Sequence, residues 1–263
     1  MTVERHTARH RGHAGPTFFR NVVPGVHRLE HAYVNVYLLE DQGRLTIVDT
    51  GFPSTWRLLP AALASIGREF SDIEAVVLTH AHFDHVGFAA RADAELGVPI
   101  YVHNGDRALA AHPYRYRRER SPLLYPFIYP SGIPAIVSMV AAGALIVRGV
   151  TDVRELRAGQ VLDVPGNPVA VATPGHTFGH CALHLPGRDA VISGDALVTL
   201  DPYKGASGAQ IVAGAATADS AMALSALDAL AATDASSVLP GHGDPWHGGV
   251  RAAVAAARAV GAT

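Results

Sequence analysis

Three histidines and one aspartate are packed into a single short stretch, His80-Ala81-His82-Phe83-Asp84-His85. The stretch comes directly after an apolar run at residues 75–78. Imidazole and carboxylate groups without thiolate are ligands that suit Zn²⁺, Fe or Mn²⁺. Such a density of ligand types is hard to explain as core packing, so the pattern HxHxDH predicts a metal site.

Three more residues of ligand type follow downstream, each at the end of an apolar segment and each beside a glycine: His176, Asp195 and His242. Short apolar segments stopped by Gly or Pro predict buried strands. A glycine beside a ligand permits a tight turn and a close approach of the backbone. A lone Gly-His or Gly-Asp pair is a weak signal. Their order and spacing behind the HxHxDH stretch predict that all three bind metal.

In these residues the chain resembles the metallo-β-lactamase fold superfamily, in its dinuclear form with an aspartate bridge, over about residues 26–242. The resemblance implies two divalent ions, for which Zn²⁺ is expected and Fe or Mn²⁺ are alternatives. One ion would take three histidines, the other an aspartate and two histidines, and a second aspartate would bridge them: His80, His82 and His176; Asp84, His85 and His242; and Asp195. Asp49 matches a family position that supports the HxHxDH loop by hydrogen bonding and binds no metal.

The resemblance and the ligand types together predict a hydrolase. A pair of divalent ions can lower the pKa of a water held between them and supply hydroxide, while one ion polarises the oxygen under attack. Asp84 and Asp195 are the predicted catalytic residues: Asp84 would orient the nucleophile and pass a proton to the leaving group, and Asp195 would bridge the ions. We expect attack by metal-bound hydroxide on a carboxylic ester, thioester or lactone with an apolar portion. The alternatives are a phosphodiesterase, an enzyme like the mononuclear-iron persulfide dioxygenases, and a non-catalytic metal-binding module.

Two departures from particular branches narrow this expectation. Ala196 follows Asp195 where quorum-quenching lactonases of the superfamily usually carry tyrosine, which argues against a lactonase. The glyoxalase II branch continues into a long C-terminal helical domain, whereas little more than one predicted helix follows His242 here. This difference argues against a glutathione thioester as the substrate.

Composition limits the size of the core, the kind of substrate and the cellular compartment that we expect. The chain has 263 residues, 49% hydrophobic and 17% charged, which indicates one large core or two modest ones. A formal net charge of −2 gives no field that would attract nucleic acid, and a small-molecule substrate is expected instead. The single Cys181 and the lack of a hydrophobic signal core predict a cytoplasmic protein, with Cys181 as a small core residue. We expect a flexible tail at 1–20 and a single domain at 21–263.

Apolar periodicity predicts strands and helices in two similar halves. The predicted strands are residues 26–29, 34–39, 45–48, 75–78, 100–102, 161–164, 169–172, 182–185, 190–192 and 238–239. The predicted helices are residues 56–66, 88–96, 218–231 and 250–260. Asp41-Gln42-Gly43 predicts a hairpin turn. Two strand-rich halves with outer helices predict an α/β fold, a four-layer αββα sandwich of two mixed β-sheets, which the resemblance also implies.

A segment at about 106–150 does not fit the strand pattern. It begins with arginine and tyrosine and becomes apolar and proline-rich, without the roughly 18 apolar residues that span a bilayer. Three interpretations stay open: a cap over the metal cleft with an apolar acyl pocket, which is favoured, then a homodimer contact, and a membrane-surface patch. Five tyrosines could donate to a developing oxyanion, and spacing selects none of them: Tyr114, Tyr116, Tyr125, Tyr129 and Tyr203.

Overall fold

A computed structural model describes residues 15–263, and seven of its strands form one sheet in chain order. The strands are β1 Thr17–Val23, β2 Val26–His31, β3 Val34–Asp41, β4 Arg44–Val48, β5 Ile73–Val77, β6 Ile100–His103 and β7 Arg154–Leu156. Pairs from β1 to β4 are antiparallel, and those from β4 to β7 are parallel. The predicted turn at Gln42 and Gly43 joins β3 to β4, with positive φ at both residues.

A second sheet of four strands has the order β13-β10-β9-β8, and a hairpin of β11 and β12 stands beside it. The strands are β8 Val169–Ala172, β9 Cys181–Leu185, β10 Ala190–Gly194, β11 Val198–Asp201, β12 Ala206–Gln210 and β13 Ser237–Pro240. Because β13 is parallel to β10, both strands deliver their carboxyl ends to the same edge of the sheet.

Seven α-helices lie within residues 15–263. They are α1 Leu59–Ser65, α2 Ala89–Leu96, α3 Arg107–Ala111, α4 Tyr125–Ile128, α5 Ile133–Ala141, α6 Ser220–Ala231 and α7 Val250–Val260. The Asp219 side chain caps α6 by accepting a hydrogen bond from the Met222 N–H at 2.8 Å. α2 ends at Gly97 in the left-handed conformation, with φ of 65°.

Three apolar cores separate four layers. Leu63 of α1 and Ala92 of α2 pack on one face of the first sheet. The other face of that sheet, with Val77, packs against Ile192 and Leu239 of the second sheet. Leu227 of α6 and Val254 of α7 cover the outer face of the second sheet. The predicted αββα sandwich is therefore the observed fold.

The structure departs from the sequence-based expectations in a few elements. The strand predicted at residues 161–164 is wrong, because only an isolated bridge from Val161 to Val169 forms and Pro165 and Pro168 interrupt the pairing. The helix predicted at 56–66 begins as a 3₁₀ turn at Pro53–Leu58. β1, β7, β11 and β12 were not predicted. Of the predicted tail at 1–20, residues 1–14 lie outside the described residues, and residues 17–20 belong to β1, where residues 17–19 pair with β2.

The segment at 106–150 forms short helices, α3, α4 and α5, joined by 3₁₀ turns. Within residues 15–263, no single helix is long and apolar enough to cross a membrane. The helical pieces Pro122–Ile128 and Pro130–Ala141 have enough length and apolar content only when taken together, and they are bent by 108° at their break.

Candidate metal centre

Five loops meet at one edge of the sandwich, each leaving the carboxyl end of a strand. Asp49 follows β4, and the HxHxDH stretch follows β5. His176 follows β8, Asp195 follows β10 and His242 follows β13. The site is therefore built from both sheets, as the alternation of strand, turn and ligand predicts.

The structure brings all seven predicted ligand residues together. Three groups each place their ligand atoms within 4.8 Å of one another: His80, His82 and His176; His80, His85 and Asp195; and Asp84, His85 and His242. Asp195 stands between the predicted ligands of the two ions. Its Oδ2 lies 3.4 Å from Nε2 of His176 and 3.1 Å from Nε2 of His242, and its Oδ1 lies 3.6 Å from Nε2 of His85.

Five buried polar atoms of this cluster have no hydrogen-bond partner within the described part of the chain. They are Nε2 of His80, His82, His85 and His176, and Oδ1 of Asp195. An unpaired buried polar atom is costly, and several converging on one point are seldom seen without a ligand. Imidazole nitrogens and carboxylate oxygens suit a divalent metal, so the residues present fit the two ions that the resemblance implies.

Four of the histidines are held by hydrogen bonds on their other ring nitrogen. Nδ1 of His80 lies 3.1 Å from Oγ1 of Thr79, and that of His176 lies 3.3 Å from Oγ1 of Thr217. Nδ1 of His242 lies 2.8 Å from the carbonyl oxygen of Tyr33, and Nδ1 of His85 lies 2.9 Å from Oδ2 of Asp49. Such contacts fix the ring orientation and leave Nε2 for metal.

Asp49 organises the start of the HxHxDH loop. Besides meeting His85, its carboxylate accepts hydrogen bonds from the N–H and the hydroxyl of Thr79, each at 2.8 Å. Its backbone has a positive φ of 59°, an uncommon conformation outside glycine that is concentrated at functional sites. These contacts agree with the supporting role expected of Asp49.

Asp106 joins two ligand loops, a role that no residue pattern indicated. Its buried carboxylate accepts hydrogen bonds from the N–H of Ala81 at 3.0 Å, the hydroxyl of Thr177 at 2.6 Å and the N–H of Gly179 at 2.9 Å. Ala81 lies between His80 and His82, and Thr177 follows His176. One carboxylate therefore joins the loop of His80 and His82 to the loop of His176.

The loop that carries His242 is fastened to the first sheet. The Asn35 side chain donates to the carbonyl oxygens of Pro240 and Gly243 at 2.9 and 2.7 Å, and the Tyr37 hydroxyl donates to that of Pro240 at 2.8 Å. Arg28, which is 2% exposed, donates to the Gly243 carbonyl at 3.0 Å. A ligand from the second sheet is thus positioned by β2 and β3 of the first.

Burial and charge divide the histidines into two classes. Burial lowers the pKa of His82 to about 4 and lowers the pKa of His80 and of His176 well below the usual value. Burial would also lower the pKa of His242, but Asp195 outweighs it and raises that pKa to about 10. Against burial, the charges of Asp195 and then Asp49 raise the pKa of His85. The three histidines with a lowered pKa, His80, His82 and His176, are neutral and can bind metal directly. The two with a raised pKa, His85 and His242, must each lose a proton when metal binds.

His180 is a supporting residue next to Asp195. Its Nε2 accepts a hydrogen bond from the Asp195 N–H at 3.0 Å, and its Nδ1 lies 2.8 Å from the Thr173 hydroxyl. Burial lowers its pKa to about 3, so the ring is neutral and can accept. His180 therefore positions the backbone of Asp195.

Two of the five tyrosines approach the cluster. The centre of the Tyr116 ring lies 4.5 Å from that of His82, and burial, followed by the nearby Tyr116 and Asp84, raises the pKa of Tyr203. The Tyr114 hydroxyl instead donates to the Ala144 carbonyl at 2.9 Å. The structure therefore places the Tyr116 and Tyr203 phenols beside the cleft.

A cavity of about 280 Å³ opens beside the cluster. His82, His176 and Tyr116 form its inner wall, and Arg115 and Arg117 stand at its mouth. The Arg117 guanidinium lies 5.5 Å from the centre of the Phe178 ring, which also lines the cavity. This cavity can hold a small molecule that is partly apolar and partly anionic.

The family model of the metallo-β-lactamase superfamily matches residues 30–242. A probable metallo-hydrolase of Bacillus subtilis (strain 168), YflN, is 28% identical over 240 residues, which cover 85% of this chain and 86% of YflN. A metallo-β-lactamase family protein of Thermus thermophilus superposes with a TM-score of 0.64 at 25% identity, covering 89% of this chain and 78% of its own. The protein TTHA1623, solved in a di-iron-bound form, gives a TM-score of 0.57 at 29% identity and covers 83% of this chain and 92% of its own. The chain therefore belongs to the metallo-β-lactamase superfamily and is a metallo-hydrolase.

Proposed function

We propose that this protein hydrolyses a small carboxylic ester or thioester that carries an apolar portion and an acidic group, with two divalent ions held by the seven predicted ligands. The observation that carries the proposal is the convergence of five unpaired buried polar atoms on one cleft. His80, His82 and His176 would hold one ion, Asp84, His85 and His242 the other, and Asp195 would bridge them.

When bound, the ions supply an activated water and polarise the oxygen under attack. Asp84 is 8% exposed, and its Oδ2 lies 3.4 Å from Nε2 of His242, so its carboxylate faces the cleft between the predicted ligands. Against burial, the charges of His85 and then His242 keep the pKa of Asp84 below its usual value. The carboxylate is therefore ionised and would accept the proton that the attacking water loses, then give that proton to the leaving oxygen or sulfur.

Binding and specificity would come from Tyr116, Arg115 and Arg117 of the cavity and from Tyr203 next to Tyr116. Burial raises the pKa of Tyr116 and of Tyr203, so both are protonated and can donate to an oxygen that gains charge. Phe178 offers an apolar wall, and Arg115 and Arg117 can bind a carboxylate at the mouth.

A phosphodiester is the second candidate, since the same two guanidiniums would also bind a phosphate. Metal analysis with paired assays of p-nitrophenyl esters and bis-p-nitrophenyl phosphate separates the candidates. We expect two metals per chain and ester turnover. Phosphate turnover alone would favour the second candidate, one iron with oxygen uptake a persulfide dioxygenase, and bound metal without turnover a binding module.

The acidic group of the substrate has its own test. Arg115→Gln and Arg117→Gln should raise KM for an ester with a free carboxylate by about tenfold and leave that for its neutral analogue unchanged. Arg20→Gln, an exposed arginine on β1, is the matched control. Equal changes for both esters would show that these arginines are only a solvated surface.

A further inference from the structure

The segment at 106–150 exposes a large apolar surface, which we call the apolar face. Six of its side chains are at least 61% exposed: Leu123, Phe127, Ile128, Val137, Leu145 and Ile146. From Ser121 to Val147 the chain contains no charged residue and no histidine. So many exposed apolar side chains in one short uncharged stretch of chain are unusual for a monomeric protein that has no partner there.

The apolar face is distinct from the side of the segment that packs on the protein. Met139 and Ala142 are buried and pack with Val34 and Phe52 in a small core of their own. Val137 and Val140, on the same stretch of chain, are 61% and 46% exposed. α5 thus has apolar residues on both sides, and the protein's own core uses only one of them.

Arginines border the apolar face. Arg120 precedes it in the chain and Arg148 follows it. Arg57 and Arg148 line, together with Ile146, a cavity of about 680 Å³. Among residues 15–263, the arginine ion pairs with Asp or Glu involve other residues: Arg28, Arg44, Arg68, Arg91, Arg157, Arg251 and Arg258. The guanidiniums of Arg57, Arg120 and Arg148 therefore remain available to an external anion.

The apolar face together with its arginine border favours an anionic bilayer over a second copy of the chain as the partner. In a symmetric dimer the same surface of each copy would face the other, which would bring like-charged arginine borders together. An anionic bilayer instead offers apolar chains to the face and phosphate groups to its border. The 108° bend between the two helical pieces suits a surface that lies in the bilayer interface and does not cross it.

We propose that the apolar face inserts into the surface of an anionic phospholipid bilayer, with Arg57, Arg120 and Arg148 binding the phosphate groups. The protein would then work as a peripheral membrane enzyme. Its metal centre lies outside this face, so membrane binding can be measured without turnover.

The apolar part of the proposal is tested by sedimenting the full-length protein with vesicles. We expect binding to vesicles of phosphatidylcholine with about one third phosphatidylglycerol, and binding at least ~10-fold weaker for the variant with Leu123→Ser and Phe127→Ser. Both side chains are exposed, so the fold should persist. Val161→Ser, at a residue that is also 61% exposed but lies outside the apolar face, should bind as the wild type does.

The charged border is tested in the same assay. Arg57→Glu with Arg148→Glu should weaken binding to the anionic vesicles by about tenfold, and Arg20→Glu should not. Phe127→Trp should retain binding and shift its fluorescence to shorter wavelength on mixing with vesicles. Absence of vesicle binding would overturn the proposal, and so would a dimer in light scattering that the Leu123→Ser, Phe127→Ser variant dissociates, because the occupant would then be a second copy of the chain.

Discussion

Gly241 lies against the carboxylate of Asp195. A Cβ built on Gly241 would lie 2.2 Å from Oδ1 of Asp195 and 2.9 Å from Cε1 of His85. Both distances are shorter than any ordinary contact, so only a residue without a side chain fits between His242 and the predicted bridge. The glycine that precedes His242 is required by the metal centre and not merely by the turn.

Gly241→Ala should therefore displace the Asp195 carboxylate while the sheets remain intact. We expect less than two metals per chain and a fall in kcat/KM of about 100-fold, since a displacement of about 1 Å at a catalytic group can cost that much. Gly187→Ala is the control, because a Cβ there would meet nothing within 4 Å. Full activity with two metals would contradict the position that we assign to Asp195.

Asp195→Ala should lose one metal and nearly all turnover while the fold persists. The residue stands at the end of β10, where the loss of its side chain removes a predicted ligand of both ions without opening the apolar cores. Elemental analysis, circular dichroism and ester assays measure the three outcomes, with the exposed Asp163→Ala as the control. Unchanged turnover would remove the bridging assignment.

Asp106→Ala should lower the free energy of unfolding by roughly 2–4 kcal/mol, because three buried donors would lose their acceptor. Urea unfolding measures this change. The variant should also bind the first metal more weakly, because the carboxylate joins the loops of His82 and His176. A loss of stability with unchanged metal affinity would mean that Asp106 stabilises the fold but does not position the metal ligands.

Tyr203→Phe or Tyr116→Phe should lower kcat by about 100-fold with little change in KM, if that phenol donates to the developing charge. Steady-state kinetics on both variants identifies the donor. Tyr114→Phe is a strict comparison, because the Tyr114 hydroxyl bonds to Ala144 and Val147 and not to the cleft. Normal kcat in both test variants would leave the phenols with a binding role.

Cys181 should resist thiol reagents in the folded protein. Burial raises the pKa of Cys181 to about 12, so the reactive thiolate is scarce at pH 8 and stays scarce until the pH approaches that value. The reaction with a coloured disulfide reagent should be at least ~100-fold faster in urea than in buffer. Fast labelling of the native chain would mean that the interface of the two sheets opens readily.

The sequence was sufficient to select the seven residues that converge at this edge, because metal binding demands particular side-chain types, and those at positions 80–85 and beside the later glycines are conspicuous. The contacts that hold these residues in place were harder to predict from the sequence. His242 is held by the backbone carbonyl of Tyr33, which leaves no signature in residue type. Asp106 lies 25 residues from Ala81 and 71 residues from Thr177 in the chain, and only the assembled sandwich brings the three together. Short strands such as β7 exist because a neighbouring strand pairs with them, and their own residues show no period of two.

The segment at 106–150 and the hairpin that carries Tyr203 are interlocked. A Cβ on Gly132 would lie 2.2 Å from the carbonyl oxygen of Tyr203, and the Ser131 hydroxyl donates to the carbonyl of Lys204. Lifting this segment would therefore carry the Tyr203 phenol away from Asp84. A substitution that loosens the packing at Ser131 and Gly132 would thus reach the proposed reaction through Tyr203, although neither residue lies among the predicted ligands.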